Sequence, residues 1–247
     1  MITGARALGF ALRELLLPIV CAACARSLDH GEPGIVCGRC WSRLALLGSP
    51  LCARCGHPKP RPECRWCELL APYVRAARSV CWIHRGTGQA VVHALKYRGW
   101  HATAPGMAAR MARLSWPADV IAERVAVVPV PLAKERERER GYNQSEQLAR
   151  AIAEHWRVPM WAHVLLRTRH TGTQTRLTPE QRLVNVSGAF SVPDSARAAL
   201  RRSHVVIVDD VITTAATLNA CAAALHEAGA RVISFITFGR APAVGDR

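Results

Sequence analysis

Between His204 and Thr217 the chain reads His-Val-Val-Ile-Val-Asp-Asp-Val-Ile-Thr-Thr-Ala-Ala-Thr, and few folds accommodate that order. The first five residues, mostly β-branched and apolar without alternation, fit a strand buried on both faces of a parallel sheet. Two carboxylates, Asp209 and Asp210, follow where that strand should end. Hydroxyls and small residues come next, then a helical spacing of Leu218, Cys221, Ala222 and Leu225 that stops at Gly229. A strand, a tight loop and a helix N-terminus gather unpaired amide N–H groups and the positive end of a helix dipole at one place, which suits an anion. Thr213, Thr214 and Thr217 add hydroxyl donors. The carboxylates cannot take phosphate, because like charges repel, but they can accept hydrogen bonds from vicinal hydroxyls. Acid pair and loop together point to a ribose phosphate; the plainer alternative is an Asp-rich turn capping a helix.

The same string resembles the phosphoribosyl-pyrophosphate motif of type I phosphoribosyltransferases. The resemblance implies that Asp209 and Asp210 hold the ribose hydroxyls and that Thr213, Thr214, Ala215, Ala216 and Thr217 cradle the 5′-phosphate. That family usually carries glycine where Ala215 stands. Glycine permits positive φ and close phosphate approach, so the methyl group is expected to weaken affinity without changing the fold.

Residues 21 to 67 hold four C-x-x-C pairs: Cys21/Cys24, Cys37/Cys40, Cys52/Cys55 and Cys64/Cys67. Two intervening residues let a tight turn aim both thiolates at one ion, and zinc takes four such ligands tetrahedrally at ~2.3 Å. Eight cysteines therefore predict two closed structural sites with no open position for catalysis. Little apolar surface lies between the pairs, so metal must supply much of this module's folding energy. Spacing leaves the pairing order open. Consecutive pairing, Cys21/Cys24/Cys37/Cys40 and Cys52/Cys55/Cys64/Cys67, is preferred; an interleaved cross-brace is the alternative. Cys81 and Cys221 lie in apolar patterns and read as core.

Clustered Cys pairs mean metal where thiols stay reduced, and the N-terminus does not read cleanly as a secretion signal. Met1–Val20 reads as an amphipathic helix (Leu8, Leu12, Leu15, Leu16) with Arg13 and Glu14 interrupting its apolar stretch. No apolar run approaches the ~18 residues of a membrane span. The expected setting is cytoplasmic. Across 247 residues the net charge is +15, which attracts polyanions, whether nucleic acid or phosphorylated substrates.

After Cys67 the composition shifts. Strands are predicted over 76–83, 125–130, 161–166 and 232–238, and helices over 89–97, 104–114, 144–156 and 177–184. Lys96 and Arg98, at the end of the first helix, read as charges complementing its dipole, or as a basic wall near a phosphate site. The stretch from Leu132 to Ser145, with its alternating Lys-Glu-Arg-Glu-Arg-Glu-Arg, reads as a solvated loop at the carboxyl end of a parallel strand. Lys134 and Arg140 are its candidates for pyrophosphate. The polar segment from Arg167 to Arg176, including Arg169 and Gln174, reads as a mobile loop that could close over the site.

Arg140-Gly141-Tyr142-Asn143-Gln144-Ser145 resembles the RG(Y/F)NQS segment of the ComF family of competence proteins. Leu95-Lys96-Tyr97-Arg98-Gly99, the spacing Arg167…Gln174…Leu177…Arg182…Asn185…Gly188-Ala189-Phe190 and the cysteine pairs fit the same family. The resemblance implies a double zinc ribbon over 1–70 and a type I phosphoribosyltransferase-like domain over 71–247, with a parallel sheet flanked by helices. It implies structural zinc, magnesium arriving with phosphoribosyl pyrophosphate, and a link to natural transformation or use of external DNA. Single-stranded DNA or DNA-uptake proteins are the expected macromolecular partners, with Trp41, Trp66 and Trp82 read equally as stacking platforms or as core. The alternative is a zinc-ribbon DNA- or partner-binding protein whose phosphoribosyltransferase fold does no catalysis.

Overall fold

The computed structural model describes residues 19–29, 32, 34–58, 64–84, 86–168 and 188–242. The amphipathic N-terminal stretch, Arg169, Gln174 and the helix predicted over 177–184 lie outside the described residues. In chain order the elements are α1 (Gly38–Ser42), α2 (Arg65–Glu68), β1 (Val74–Trp82), α3 (Thr87–Tyr97), α4 (Ala104–Ala112), α5 (Ala118–Glu123) and β2 (Arg124–Pro129). There follow α6 (Lys134–Arg140), α7 (Gln144–Trp156), β3 (Leu166–Arg167), β4 (Phe190–Ser191), α8 (Asp194–Leu200), β5 (His204–Ile212), α9 (Ala216–Glu227) and β6 (Val232–Arg240). Four strands form one parallel sheet in the order β1-β6-β5-β2, and β3 pairs antiparallel with β4.

The sheet is covered on both faces, and alternation along β5 shows how. Val206 and Val208 pack with Val91 and Leu95 of α3, Met107 of α4 and Leu148 of α7. Val205 and Ile207 pack on the other face with Leu218, Ala222 and Leu225 of α9 and Leu200 of α8. All four β5 residues are fully buried, which explains the unbroken apolar run; each contributes about 2 kcal/mol by burial. The two cysteine-rich segments divide between these faces. Cys21, Cys37, Cys40 and Leu44 join the α3/α4 side, whereas Cys55, Trp66 and Leu70 join the α9 side.

Both sheet edges are closed. Trp82 N donates to Ala45 O at 2.8 Å and Leu47 N to Val80 O at 3.3 Å, so the segment between the cysteine clusters extends the sheet beyond β1. At the other edge Val127 exchanges bonds with Pro159 and Trp161. A covered edge removes a template for unwanted pairing. No described helix is long and apolar enough to cross a membrane.

Two local expectations fail. Residues 134–140, read as a loop, form α6. None of its side chains is buried, so no apolar period could betray it. It is held by good helix formers, acidic residues in its first turn and basic ones in its last, and Gly141 at φ 79° as its stop. The strand predicted over 161–166 shrinks to the short β3: Val164 and Leu165 are buried through turns, and only Met160 bridges to β2. The tryptophans proposed for stacking are largely spoken for. Trp66 is buried against Arg240, and Trp41 packs against Phe238 and beneath Arg110.

His204 is buried at the foot of the sheet, with Nε2 2.9 Å from Ser234 Oγ and Nδ1 3.7 Å from Glu123 Oε2. Burial, its largest influence, lowers its pKa against the attraction of Glu123; Arg231 and Asp119 add smaller opposing effects. The unfolded chain therefore takes up this proton first as pH falls through ~6.5, and stability falls with it. Urea unfolding at pH 7.5 and 5.5 should show wild type losing stability relative to His204→Gln as pH falls; an identical pH response in the two would contradict this.

Candidate functional site

At the carboxyl ends of β2 and β5 lies a cavity of about 380 Å³, lined by the β5–α9 loop, α3, α6 and the start of α7. Loops leaving two neighbouring strands toward opposite faces open such a crevice in α/β sheets. The strand β5 runs past the carboxylates: Asp209 sits opposite Thr237 and Ile212 opposite Arg240. Asp209 and Asp210 are therefore fixed by ladder backbone rather than carried on a loop.

Each carboxylate has a provided partner. Ser145 Oγ donates to Asp209 Oδ1 at 2.8 Å, and the Asp210 amide donates to the same oxygen at 2.9 Å. Lys96 Nζ lies 2.6 Å from Asp210 Oδ2. Burial and then the Asp210 charge push Asp209 up to about 7, against the pull of Lys96 and its two donors. Asp209 reaches solvent only in part, and it lines the cavity. Burial would lower Lys96, but the Asp210 carboxylate, with Asp209 behind it, raises it instead. Lys96 thus lines the cavity, the second of the two roles that its place at a helix end allowed.

The string 140–145 is the scaffold of this arrangement. Arg140 Nη1 donates to Gln144 Oε1 at 2.8 Å, and Gly141 turns the chain in the left-handed region. The Tyr142 hydroxyl donates to Leu95 O, next to Lys96. Asn143 caps α7, accepting from Ser145 N at 3.0 Å while its Nδ2 donates to Val130 O at 3.0 Å. Ser145, fully buried, is thereby aimed at Asp209.

Beyond the acids, α9 begins without a side-chain cap, which leaves its first-turn amides for an anion. Thr214 Oγ1 is buried with no partner among the described residues, and a buried donor of this kind calls for one. Ala215 stands at φ 60°, ψ 3° as the residue before the helix. The positive φ inferred for this position is present without glycine. The strain costs about 1–2 kcal/mol, but the methyl is buried in the α9-side cluster, which returns about 0.8 kcal/mol. The burial offsets part of the strain, which the packed surroundings hold in place.

Arg136, Arg140 and Arg167 line the cavity. Lys134, in the exposed first turn of α6, does not. Arg136 went unnoticed in the sequence because its helix did; nothing but the family string pointed to Ser145.

The cysteines gather as two consecutive sets, Cys21/Cys24/Cys37/Cys40 and Cys52/Cys55/Cys64/Cys67, with sulfurs within 4.8 Å of one another in each. Sulfur separations of 3.9 Å for Cys24–Cys37, 3.5 Å for Cys52–Cys67 and 3.4 Å for Cys55–Cys64 compare with ~3.8 Å along the edge of a Zn–S₄ tetrahedron. Disulfides would need ~2.05 Å. Burial, and then hydrogen bonds among the crowded thiols, push Cys40 up; a cation removes that difficulty. The donor sets fit zinc held structurally.

If Ser145 serves the ionised Asp209, its loss should matter more when that carboxylate is charged. Ser145→Ala should cost about 1 kcal/mol more at pH 8 than at pH 5, since bonds to charged groups are the stronger. Paired urea titrations measure this; equal losses would contradict it.

Residues 117–244 match the Phosphoribosyl transferase domain, and residues 12–71 match the Double zinc ribbon domain. The chain is similar to Competence protein F of Haemophilus influenzae, 36% identical over 116 residues, which are 47% of this chain and half (50%) of that protein. It is similar to DNA utilization protein YhgH of Salmonella typhimurium, 31% identical over 229 residues, 89% of this chain and 96% of that one. It is also similar to Competence protein ComFC of Bacillus subtilis, 28% identical over 213 residues, 81% of this chain and 82% of that one. With a phosphoribosyl transferase domain, a double zinc ribbon and relatives named for competence and DNA utilization, the chain belongs to the ComF family.

Proposed function

We propose that the cavity binds phosphoribosyl pyrophosphate with magnesium, and that the chain transfers its phosphoribosyl group to an acceptor. One observation carries the reading. A pair of carboxylates already held by Ser145 and Lys96 shares a cavity with an uncapped helix N-terminus and the Thr214 hydroxyl, which has no partner among the described residues. In this reading Asp209 and Asp210 accept from the ribose hydroxyls, and the amides and hydroxyls of 213–217 hold the 5′-phosphate. Arg136, Arg140 and Arg167 face the pyrophosphate and stabilise its charge as it leaves C1′. Lys134 contributes only a longer-range field from the helix start. Magnesium, arriving with the substrate, takes hard oxygen ligands of the kind these carboxylates offer. Thiolate zinc ligands suit a reducing cytoplasm.

A second reading, binding of single-stranded DNA by a protein of DNA uptake, draws on the net charge of +15 and on relatives named for competence and DNA utilization. The two readings place their ligands differently, so one experiment separates them. Calorimetric titration with phosphoribosyl pyrophosphate and magnesium should give saturable heat in wild type, at least tenfold weaker binding in Asp209→Asn, and tighter wild-type binding as pH rises through about 7, where Asp209 ionises. The Asn variant removes a buried like-charge pair while keeping an acceptor for Ser145, so it should unfold no more easily at pH 8 than wild type. Equal affinity in wild type and variant sinks the assigned site. Heat from an oligonucleotide with none from the sugar phosphate would favour DNA binding.

A further inference from the structure

On both sides of the loop at 213–215 stand residues hydrogen-bonded to the segment that carries the second cysteine tetrad. On the helix side, Asn219 of α9 donates through Nδ2 to Leu69 O at 2.6 Å and accepts at Oδ1 from Ala71 N at 3.3 Å. Both lie within four residues of Cys67 in the chain. On the strand side, Arg240 sits opposite Ile212, the last β5 residue before Thr213. Its buried guanidinium donates to Cys55 O at 2.5 Å and stacks 4.7 Å over Trp66. Arg54, inside the Cys52/Cys55 pair, locks the connecting turn by donating to Cys67 O, Leu70 O and Ala71 O at 3.3, 3.1 and 3.0 Å. The first tetrad packs on the opposite face of the sheet.

We propose that metal in the second tetrad sets the affinity of the 213–217 loop for its anion, with Asn219 and Arg240 as the positioning residues. The inference rests on the sugar-phosphate reading above. The physical chain is short. A small module whose four crowded thiols need a cation to be held together draws folding energy from metal. Without the metal, Cys55 O, Leu69 O and Ala71 N lose their fixed places, and the buried Arg240 loses an acceptor it cannot replace cheaply. Ala215 keeps its left-handed conformation only while its surroundings over-determine it. A slackened frame lets that residue relax, and the amides then no longer converge. Linkage makes the effect reciprocal: an anion in the loop tightens the second tetrad's hold on metal by the same factor.

The test uses the full chain with both tetrads loaded and follows amide hydrogen exchange. Ribose 5-phosphate should slow exchange at least fivefold over 213–219 and also over 52–58 and 64–71, leaving 34–44 unchanged. Asn219→Ala should retain full zinc content, speed exchange over 213–219 at least fivefold, and abolish the ligand's effect on 64–71. Withdrawing metal with a graded chelator should speed exchange over 213–219 while 205–208 stays slow. Should the sheet open as well, the Asn219→Ala comparison decides. Unchanged exchange over 213–219 in that variant overturns the coupling, whether or not a sugar phosphate binds. If ribose 5-phosphate moves nothing while the variant and chelator behave as expected, the coupling stands and the ligand assignment fails.

Discussion

Two carboxylates on consecutive residues at the end of a buried strand repel each other and resent the loss of water. Asp209 and Asp210 persist because the surrounding chain supplies compensation from three directions. Lys96 comes from the end of α3, Ser145 from the start of α7, and an amide from β5 itself. The compensation is incomplete, and the raised pKa of Asp209 is its residue. A fold that keeps such a pair keeps a place where hydroxyl donors or a hard cation are welcome. Tyr142 and Asn143 act one layer further out: one ties α7's approach to the carbonyl beside Lys96, the other aims Ser145.

The cysteine-rich segment is less an appendage than a clamp. Its halves take opposite faces of the sheet, and the stretch between them adds to the free edge of β1. Arg78 reinforces the join, donating to Ala53 O at 3.0 Å and to Ser115 O at 2.8 Å. These polar ties add to the apolar packing of the segment on both faces. A chain whose small module is stabilised by metal and tied to the core by buried arginines makes core order depend on ligands well outside the cavity.

Much of this was legible in the residues, because much of it is local. The unbroken run 204–208 and the helix 144–156 carry their signals in neighbouring positions, and the structure places that helix over the same residues. Consecutive pairing of the cysteines also emerged as preferred. What escaped was either solvated or distant. α6 buries nothing, so its helix shows no apolar stripe. Lys96 and Ser145 find their partners on β5 far along the chain, and neither spacing nor charge pattern announces that meeting. Ala215 shows the reverse case: the backbone need was readable, while the burial that makes its methyl acceptable was not.

The account turns on whether the acid pair and the amide nest serve one ligand. A crystal structure of the zinc-loaded chain with phosphoribosyl pyrophosphate and magnesium addresses this most directly. The phosphate should sit on the amides of 213–217, with Thr214 Oγ1 donating to it and ribose hydroxyls within hydrogen-bond distance of Asp209 and Asp210. A saturated complex with the sugar phosphate bound elsewhere, and the two carboxylates still turned to Ser145 and Lys96 alone, would contradict it.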